Sequence, residues 1–320
     1  MGKLSKSRKR AERQRIARNC GMSAHPNDVL GKTRKVLVYD PLIFEYPELY
    51  LDVYIVGDSH EQRQFAEMFA RSRCSRADSP EEADIVVFTG GADVNPKLYG
   101  AEKHPNTHFS DNRDEVDLDV FAKCYDLGIP MFGVCRGAQF LHVMNGGKLY
   151  QHVDGHNAPH SMWDCHTNRV ITRVSSVHHQ MCIKNSSMQV LGTSHAAQKR
   201  WIDPHTVVEG SDADVEAFFY RETCSFGVQG HPEYADFQEF TLWTLHRMNE
   251  FFLENPDLYM TEKRVRRIKD DILEMRNAFN DGVPSVDEPT AEDISDLDSA
   301  DDIEDKMIAA YGTINETENA

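Results

Sequence analysis

The sequence predicts an α/β domain: a doubly wound, mostly parallel sheet with tails at both ends. Three observations carry that prediction: short runs that are apolar at every position, amphipathic helical stretches alternating with them, and Gly- or Pro-bearing corners in between. Strands with no polar face must be covered on both sides, and crossover helices supply that cover. "KVLVYD" (35–40) reads as a first strand stopped by Asp-Pro, and "DVYIVG" (52–57) as another. "HEQRQFAEMFARS" (60–72) gathers Phe65, Ala66, Met68 and Phe69 on one helical stripe. "ADIVVFTGG" (83–91) is a continuous apolar strand closed by two glycines. "RDEVDLDVFAKCYDLG" (113–128) places Val116, Val120 and Phe121 on one face and ends at Gly128, a C-terminal cap. "IPMFGVC" follows as a strand. Beyond it come the short strands "RVITRV", "MQVLGTS", "VEAFFYRE" and "FGVQGHPE", and the helix "DFQEFTLWTLHRMNEFFLEN" (236–255) closes the body.

Charge divides the chain further. The formal net charge is −17, but residues 3–18 carry eight Lys or Arg against Glu12 alone, and residues 281–320 carry thirteen Asp or Glu against Lys306. The reading is a basic flexible arm (1–34), a folded body (35–255), a charged surface helix (256–280) and an acidic disordered tail (281–320). An acidic body argues against broad nucleic-acid binding, and a solvated arm is preferred to one that grips nucleic acid. The seven cysteines form no CxxC pair, so neither a disulfide framework nor a zinc knuckle is expected. No apolar stretch is long enough to span a bilayer, and a reducing cytoplasmic setting is expected. His152, His156, His160 and His166 fit no standard zinc spacing, so they are read as surface or rim histidines, with no metal and no cofactor expected.

The informative segment is "MFGVCRGAQF" (131–140). A G-x-C-x-G corner between strand and helix has the form of a nucleophile elbow with Cys135 at its apex. Gly133 and Gly137 remove side chains that would clash, and the following helix points its positive end at the sulfur, favouring thiolate. The backbone N–H of Arg136 is placed to stabilise an oxyanion. His231 and Glu233, two apart in "GVQGHPEY", project the same way from an extended segment, and a carboxylate beside an imidazole fixes it for proton transfer. Gly90 and Gly91 end another strand and offer a bare backbone donor, while "SSVHHQ" (175–180) supplies polar groups suited to a small substrate. Cys165 beside His166 lacks both the elbow and the glycines.

Taken together, "TGGADVNPKLYG", "RDEVDLD", "IPMFGVCRGAQFLHVMNGGKLYQ", "VSSVHHQ", "VEAF" and "GVQGHPE" resemble the class I glutamine amidotransferase-like superfamily, most closely its branch of gamma-glutamyl-gamma-aminobutyrate hydrolases, peptidase family C26. The resemblance implies a flavodoxin-like glutamine amidotransferase fold and a cysteine hydrolase of gamma-glutamyl amides, with no cofactor. Cys135 would form the glutamyl thioester, His231 would move the proton, and Glu233 would orient His231. The N–H groups of Arg136 and Gly91 would bind the oxyanion. Gln139 and the His178-His179-Gln180 stretch would hold the glutamyl group, with Gly90 on the substrate side. Arg113 and Asp114 match an Arg-Asp pair of the branch, structural or at the rim. Gly230 stands where the family often has a larger residue, which would open the pocket. Two further readings stand beside the free hydrolase: a glutaminase subunit passing ammonia to a synthetase or amidoligase partner, and a non-catalytic binding protein on the same fold.

Overall fold

The computed structural model describes residues 45–254 apart from Ser211. The expected strand at 35–40, the basic arm, the charged helix at 256–280 and the acidic tail lie outside the described residues, and the predicted domain boundaries with them. In chain order, β1 (Asp52–Val56) leads to α1 (Ser59–Arg71), β2 (Ser75–Arg76), β3 (Ile85–Phe88), α2 (Asp111–Leu127), β4 (Met131–Val134) and α3 (Arg136–Met144). Short strands follow: β5 (Lys148–Tyr150), β6 (His152–Val153), β7 (His160–Asp164), β8 (Arg169–Val174), β9 (Met181–Ile183), β10 (Gln189–Ser194), β11 (Lys199–Trp201), β12 (Val207–Glu209), β13 (Asp214–Tyr220) and β14 (Ser225–Val228). α4 (Gln238–Asn249) then passes into a π-helical turn, Glu250–Glu254.

Nine strands make one sheet in the order β2-β1-β3-β4-β14-β13-β10-β7-β8. The first five run parallel and the rest continue antiparallel, so the sheet is mixed, with its parallel part at the β2 side. β12-β11-β6 and β5-β9 form two small accessory sheets. The central parallel strands β3, β4 and β14 are buried along their whole length, as their largely apolar sequences require, while β1 is partly and β2 scarcely buried. Along β3, Ile85 and Val87 join one core while Val86 and Phe88 join the other; along β4, Phe132 and Val134 face the first and Met131 the second. Helices cover both faces. α1 brings Phe65, Met68 and Phe69, and α4 brings Phe240, Trp243, Leu245 and Met248, to the first core. α2 supplies Val120 and Cys124, and α3 supplies Ala138, Phe140, Leu141 and Val143, to the second. Each large apolar side chain so buried contributes roughly 1.5–3 kcal/mol.

Local signals account for the helix ends. Asp58 caps α1 through the N–H groups of His60 and Glu61, and Glu61 completes a capping box. Gly128 takes the left-handed conformation (φ 66) that ends α2. One expectation for α2 is corrected: Val116 is 44% exposed and does not share the buried face with Val120. That face carries Asp114, Asp117, Val120 and Cys124 instead, because a buried arginine on α3 draws the two carboxylates inward.

Candidate active site at the carboxyl ends of β3, β4 and β14

Cys135 is the single residue between β4 and α3, with φ 52 and ψ −111. For a side chain larger than glycine this is strained backbone, costing about 1–3 kcal/mol, and it lifts the sulfur off the strand end. The neighbouring glycines permit it. A Cβ on Gly133 would come 2.6 Å from the Gly137 carbonyl oxygen, and one on Gly137 would collide with the carbonyl of Phe88 at the end of β3. Helix α3 therefore begins hard against two strand ends. The Cys135 N–H still donates to Val228 O at 2.9 Å, so β4 and β14 remain paired up to the corner itself.

β14 ends at Val228, and His231 follows three residues later. The His231 N–H donates to Ser175 Oγ at 2.6 Å, which fixes the backbone. Its Nδ1 lies 2.7 Å from Glu233 Oε1, and its ring stacks on Tyr234 with centroids 4.6 Å apart. A carboxylate only accepts, so Nδ1 carries the proton on that side, and the ring also hydrogen-bonds Cys135. Burial by itself pulls the His231 imidazole down. The negative sulfur of Cys135, the hydrogen bond to it and the Glu233 carboxylate outweigh burial and push the imidazole up to about 11. The imidazole of His231 is thus held in its protonated form. Because the raised value keeps the ring charged from its ordinary range up to about 11, proton donation fails only as pH rises through that value. Cys135→Ala deletes the strongest upward influence, so the His231 titration followed by NMR should move down to lower pH. An unchanged titration would refute the ion pair.

The end of β3 closes the other side. A Cβ on Gly90 would stand 3.1 Å from His231 Cε1, 3.5 Å from Glu61 Oε1 and 4.0 Å from Cys135 Cβ. The ring cannot easily retreat, being held between Glu233 and Tyr234. Gly90→Ala should therefore lower kcat/KM by about 10–100-fold while leaving the urea midpoint nearly unchanged, since small displacements of reacting groups are costly. Gly91 is exposed, with φ +127, a conformation that L side chains rarely adopt.

Arg136 shows two functions on one residue. Its N–H opens the first turn of α3, where the backbone donors lack helical partners. Its side chain, 1% exposed, turns away into a bed formed by Asp114 and Asp117 and also donates from Nε to Ala92 O at 3.0 Å. The guanidinium thus fastens the loop after Gly91 to the helix that follows Cys135. Arg113 binds Asp117 (3.1 Å) and the carbonyl and hydroxyl of Thr89, so the Arg-Asp pair noted in the sequence is structural. Glu61, taken only as a helix residue from the sequence, accepts from Thr89 Oγ1 at 2.7 Å beside Gly90. The i, i+3 spacing of Asp114 and Asp117 was the available signal for a buried carboxylate pair; Glu61 had none, and Ser175 lay within the polar stretch 175–180 read as facing substrate.

The residues expected to hold substrate are unequal. Gln139 is buried and donates from Nε2 to Gln180 O (2.9 Å) and Gln229 Oε1 (3.2 Å). His178 donates from Nδ1 to Gln180 O at 3.0 Å, and burial drives its ring down to about 3, so it is neutral. Gln180 donates to Thr107 Oγ1 and Gln151 O, leaving its Oε1 buried and without a partner. Only His179 has an open edge, its side chain 37% exposed and Nε2 3.1 Å from Asp93. Gly230 does not open a pocket: a Cβ there would meet Val174 Cγ1 at 2.5 Å and Phe240 Cε1 at 3.0 Å, in the core. Two of the four histidines read as surface or rim residues are also relocated, whereas His166 is exposed as expected. His156 is fully buried and His160 mostly so, while Cys165 is exposed and near Thr193 rather than in an elbow.

Comparison with known proteins finds similarity over the part of the chain that holds these residues. Residues 76–233 match the Peptidase C26 family. A glutamine amidotransferase-like protein of Lactococcus lactis subsp. lactis is 31% identical over 170 residues, covering 47% of this chain and 66% of that protein. A protein of Mycobacterium tuberculosis named as a glutamine amidotransferase is 29% identical over 161 residues, covering 46% of this chain and 50% of its own length. A glutamine-hydrolysing GMP synthase of Streptococcus pyogenes serotype M49 is 25% identical over 143 residues, covering 44% of this chain and 25% of the synthase. The chain thus spans no more than 66% of these relatives. The matched region holds the elbow, both glycine-ended strand corners and the His-Pro-Glu segment, and this part of the chain is similar to the Peptidase C26 family and to glutamine amidotransferase-like proteins.

Proposed function

We propose that the protein hydrolyses gamma-glutamyl amide bonds by covalent catalysis at Cys135. The observation that carries this reading is the imidazole of His231, hydrogen-bonded to Cys135 on one side and to Glu233 on the other, at the apex of a strained elbow. The Cys135 thiolate attacks the amide carbon, and the carbonyl oxygen takes up the negative charge, facing the N–H groups of Arg136 and Gly91. His231 gives its proton to the leaving nitrogen, the C–N bond breaks, and a glutamyl thioester remains. Water then attacks the thioester carbon while His231 takes its proton, the C–S bond breaks with sulfur leaving as thiolate beside the re-formed imidazolium, and glutamate leaves with one carboxylate oxygen drawn from water. Glu233 keeps the ring oriented throughout. His179, with its open edge, is the substrate contact among the four residues of its group; Gln139, His178 and Gln180 form a fixed bed behind it.

6-Diazo-5-oxo-norleucine tests the reading directly. The sulfur should displace dinitrogen and retain the norleucine carbon skeleton, and peptide mass spectrometry should find the adduct on Cys135. An adduct on another cysteine, or none, counts against the proposal. A second reading, a glutaminase that delivers ammonia to a synthetase, is supported by the similarity to a glutamine-hydrolysing synthase. Turnover of gamma-glutamyl-GABA by the isolated protein favours the free hydrolase; turnover of glutamine only with a partner favours the other.

A further inference from the structure

The histidines of "QHVDGHNAPHSMWDCH" match no zinc pattern because two of them meet a third group from a distant strand. His156 lies in the loop before β7, His160 opens β7, and Glu216 lies on β13. One ligand atom from each comes within 4.8 Å of the others. His160 Nε2 is 2.9 Å, and His156 Nδ1 is 3.7 Å, from Glu216 Oε1. Nitrogen and oxygen ligands at 2.0–2.1 Å around a tetrahedral ion stand roughly 3.3 Å apart, between those two separations. We propose that His156, His160 and Glu216 form a binding site for a divalent transition-metal ion of the zinc class.

The surroundings have the form that metal sites take. A ligating histidine ordinarily donates its outer N–H to a carboxylate or a carbonyl, which bares the inner nitrogen. His156 Nε2 is 3.1 Å from Asp214 Oδ2, and Asp214 is itself locked by two guanidinium contacts from Arg200 (2.9 and 2.7 Å) and by the Ala197 N–H (2.9 Å). His160 Nδ1 faces the Ala158 carbonyl at 3.4 Å. Both inner nitrogens then turn to Glu216. Arg200 answers the charge of Asp214, but no fixed cation among the described contacts answers Glu216. Its Oε1 receives Ser194 Oγ at 2.8 Å, and its Oε2 is buried without a hydrogen-bond partner. A buried oxygen left bare is costly, and an ion chelated by both oxygens of Glu216 would satisfy it. Two imidazoles and one carboxylate favour zinc, cobalt or iron over magnesium or calcium. The His160 side chain is 14% exposed, which gives the ion a path in. The ion would brace β7 against β13. Through His156, Ser176 and the adjoining Ser175, whose hydroxyl accepts the His231 N–H, it would also stiffen the backbone behind the reactive imidazole.

The test uses the full chain, stripped by chelator dialysis and titrated with Co²⁺, with Zn²⁺ in competition. One Co²⁺ per chain is expected, with the strong visible absorption of a four-coordinate site, bleached by Zn²⁺, and Zn²⁺ should raise the melting temperature. His160→Gln and Glu216→Gln should each weaken uptake by at least about tenfold. His179→Gln, in the separate cluster with His104 and His152, should not. Should Glu216→Gln fail to fold, the partly exposed His160 position decides. The proposal is overturned if the stripped protein takes up neither ion, if His160→Gln binds as tightly as the parent, or if His179→Gln is the variant that loses the ion.

Discussion

Cys135→Ala protein is expected to lose gamma-glutamyl hydrolysis by about 10⁴-fold or more in kcat/KM, leaving what the oxyanion donors and binding alone supply. The argument rests on position as much as on chemistry. Cys135 is held at φ 52 by packing that alanine would inherit unchanged, so the variant keeps the elbow and loses only the sulfur. Deleting it should lower kcat far more than it alters KM, because the thiolate acts on the path to the transition state. Chemical denaturation should report a midpoint close to that of the parent. If the alanine protein turned over substrate at the parent's rate, the covalent route through this residue would be wrong. If it unfolded much earlier, the loss of activity would say nothing about nucleophilicity, and Cys135→Ser, closer in size, would become the comparison.

The second large effect concerns stability. Arg113 and Arg136 meet Asp114 and Asp117 in one largely buried group, with Glu61 at its edge 3.9 Å from Arg113 and Asp117 touching both guanidiniums. Asp117→Ala would leave the Arg136 side chain, 1% exposed, short of a counter-charge in a place water does not reach. Breaking such a pair from one side costs about 3–5 kcal/mol. The measurement is urea unfolding, with Asp117→Asn as the companion that keeps the shape and part of the hydrogen bonding. Asn should recover part of the loss. Because Arg136 also holds the Ala92 carbonyl, activity should fall in the folded fraction as well. A loss below about 1 kcal/mol would mean that Asp114 alone satisfies the guanidinium, as an exposed pair would allow.

The elbow was legible in the sequence because everything it needs is local: an apolar strand, two glycines that must lack side chains, and a helix that starts at once. The imidazole was legible because Glu233 follows His231 by two residues, although the structure joins the pair across a turn rather than along the extended segment the sequence suggested. The alternation of apolar strands and helices was enough to predict the two-faced sheet. What the sequence hid depends on partners far along the chain. α2 looked apolar on the side of Val116 until Arg136 supplied a reason for Asp114 and Asp117 to turn inward. Gly230 suggested empty space next to the site, but Val174 and Phe240 fill that space from other elements. His156 and His160 looked like loop histidines because Glu216, which brings them together, comes from β13.

The pairing of β4 with β14 up to the hydrogen bond between Cys135 and Val228 has a consequence for the life of the chain. β14 is the last of the described strands to leave the ribosome, so a nascent or stalled polypeptide presents an ordinary sulfhydryl with no base beside it. On the proposed mechanism, Cys135 gains its base only once β14 and the segment carrying His231 have docked beside β4.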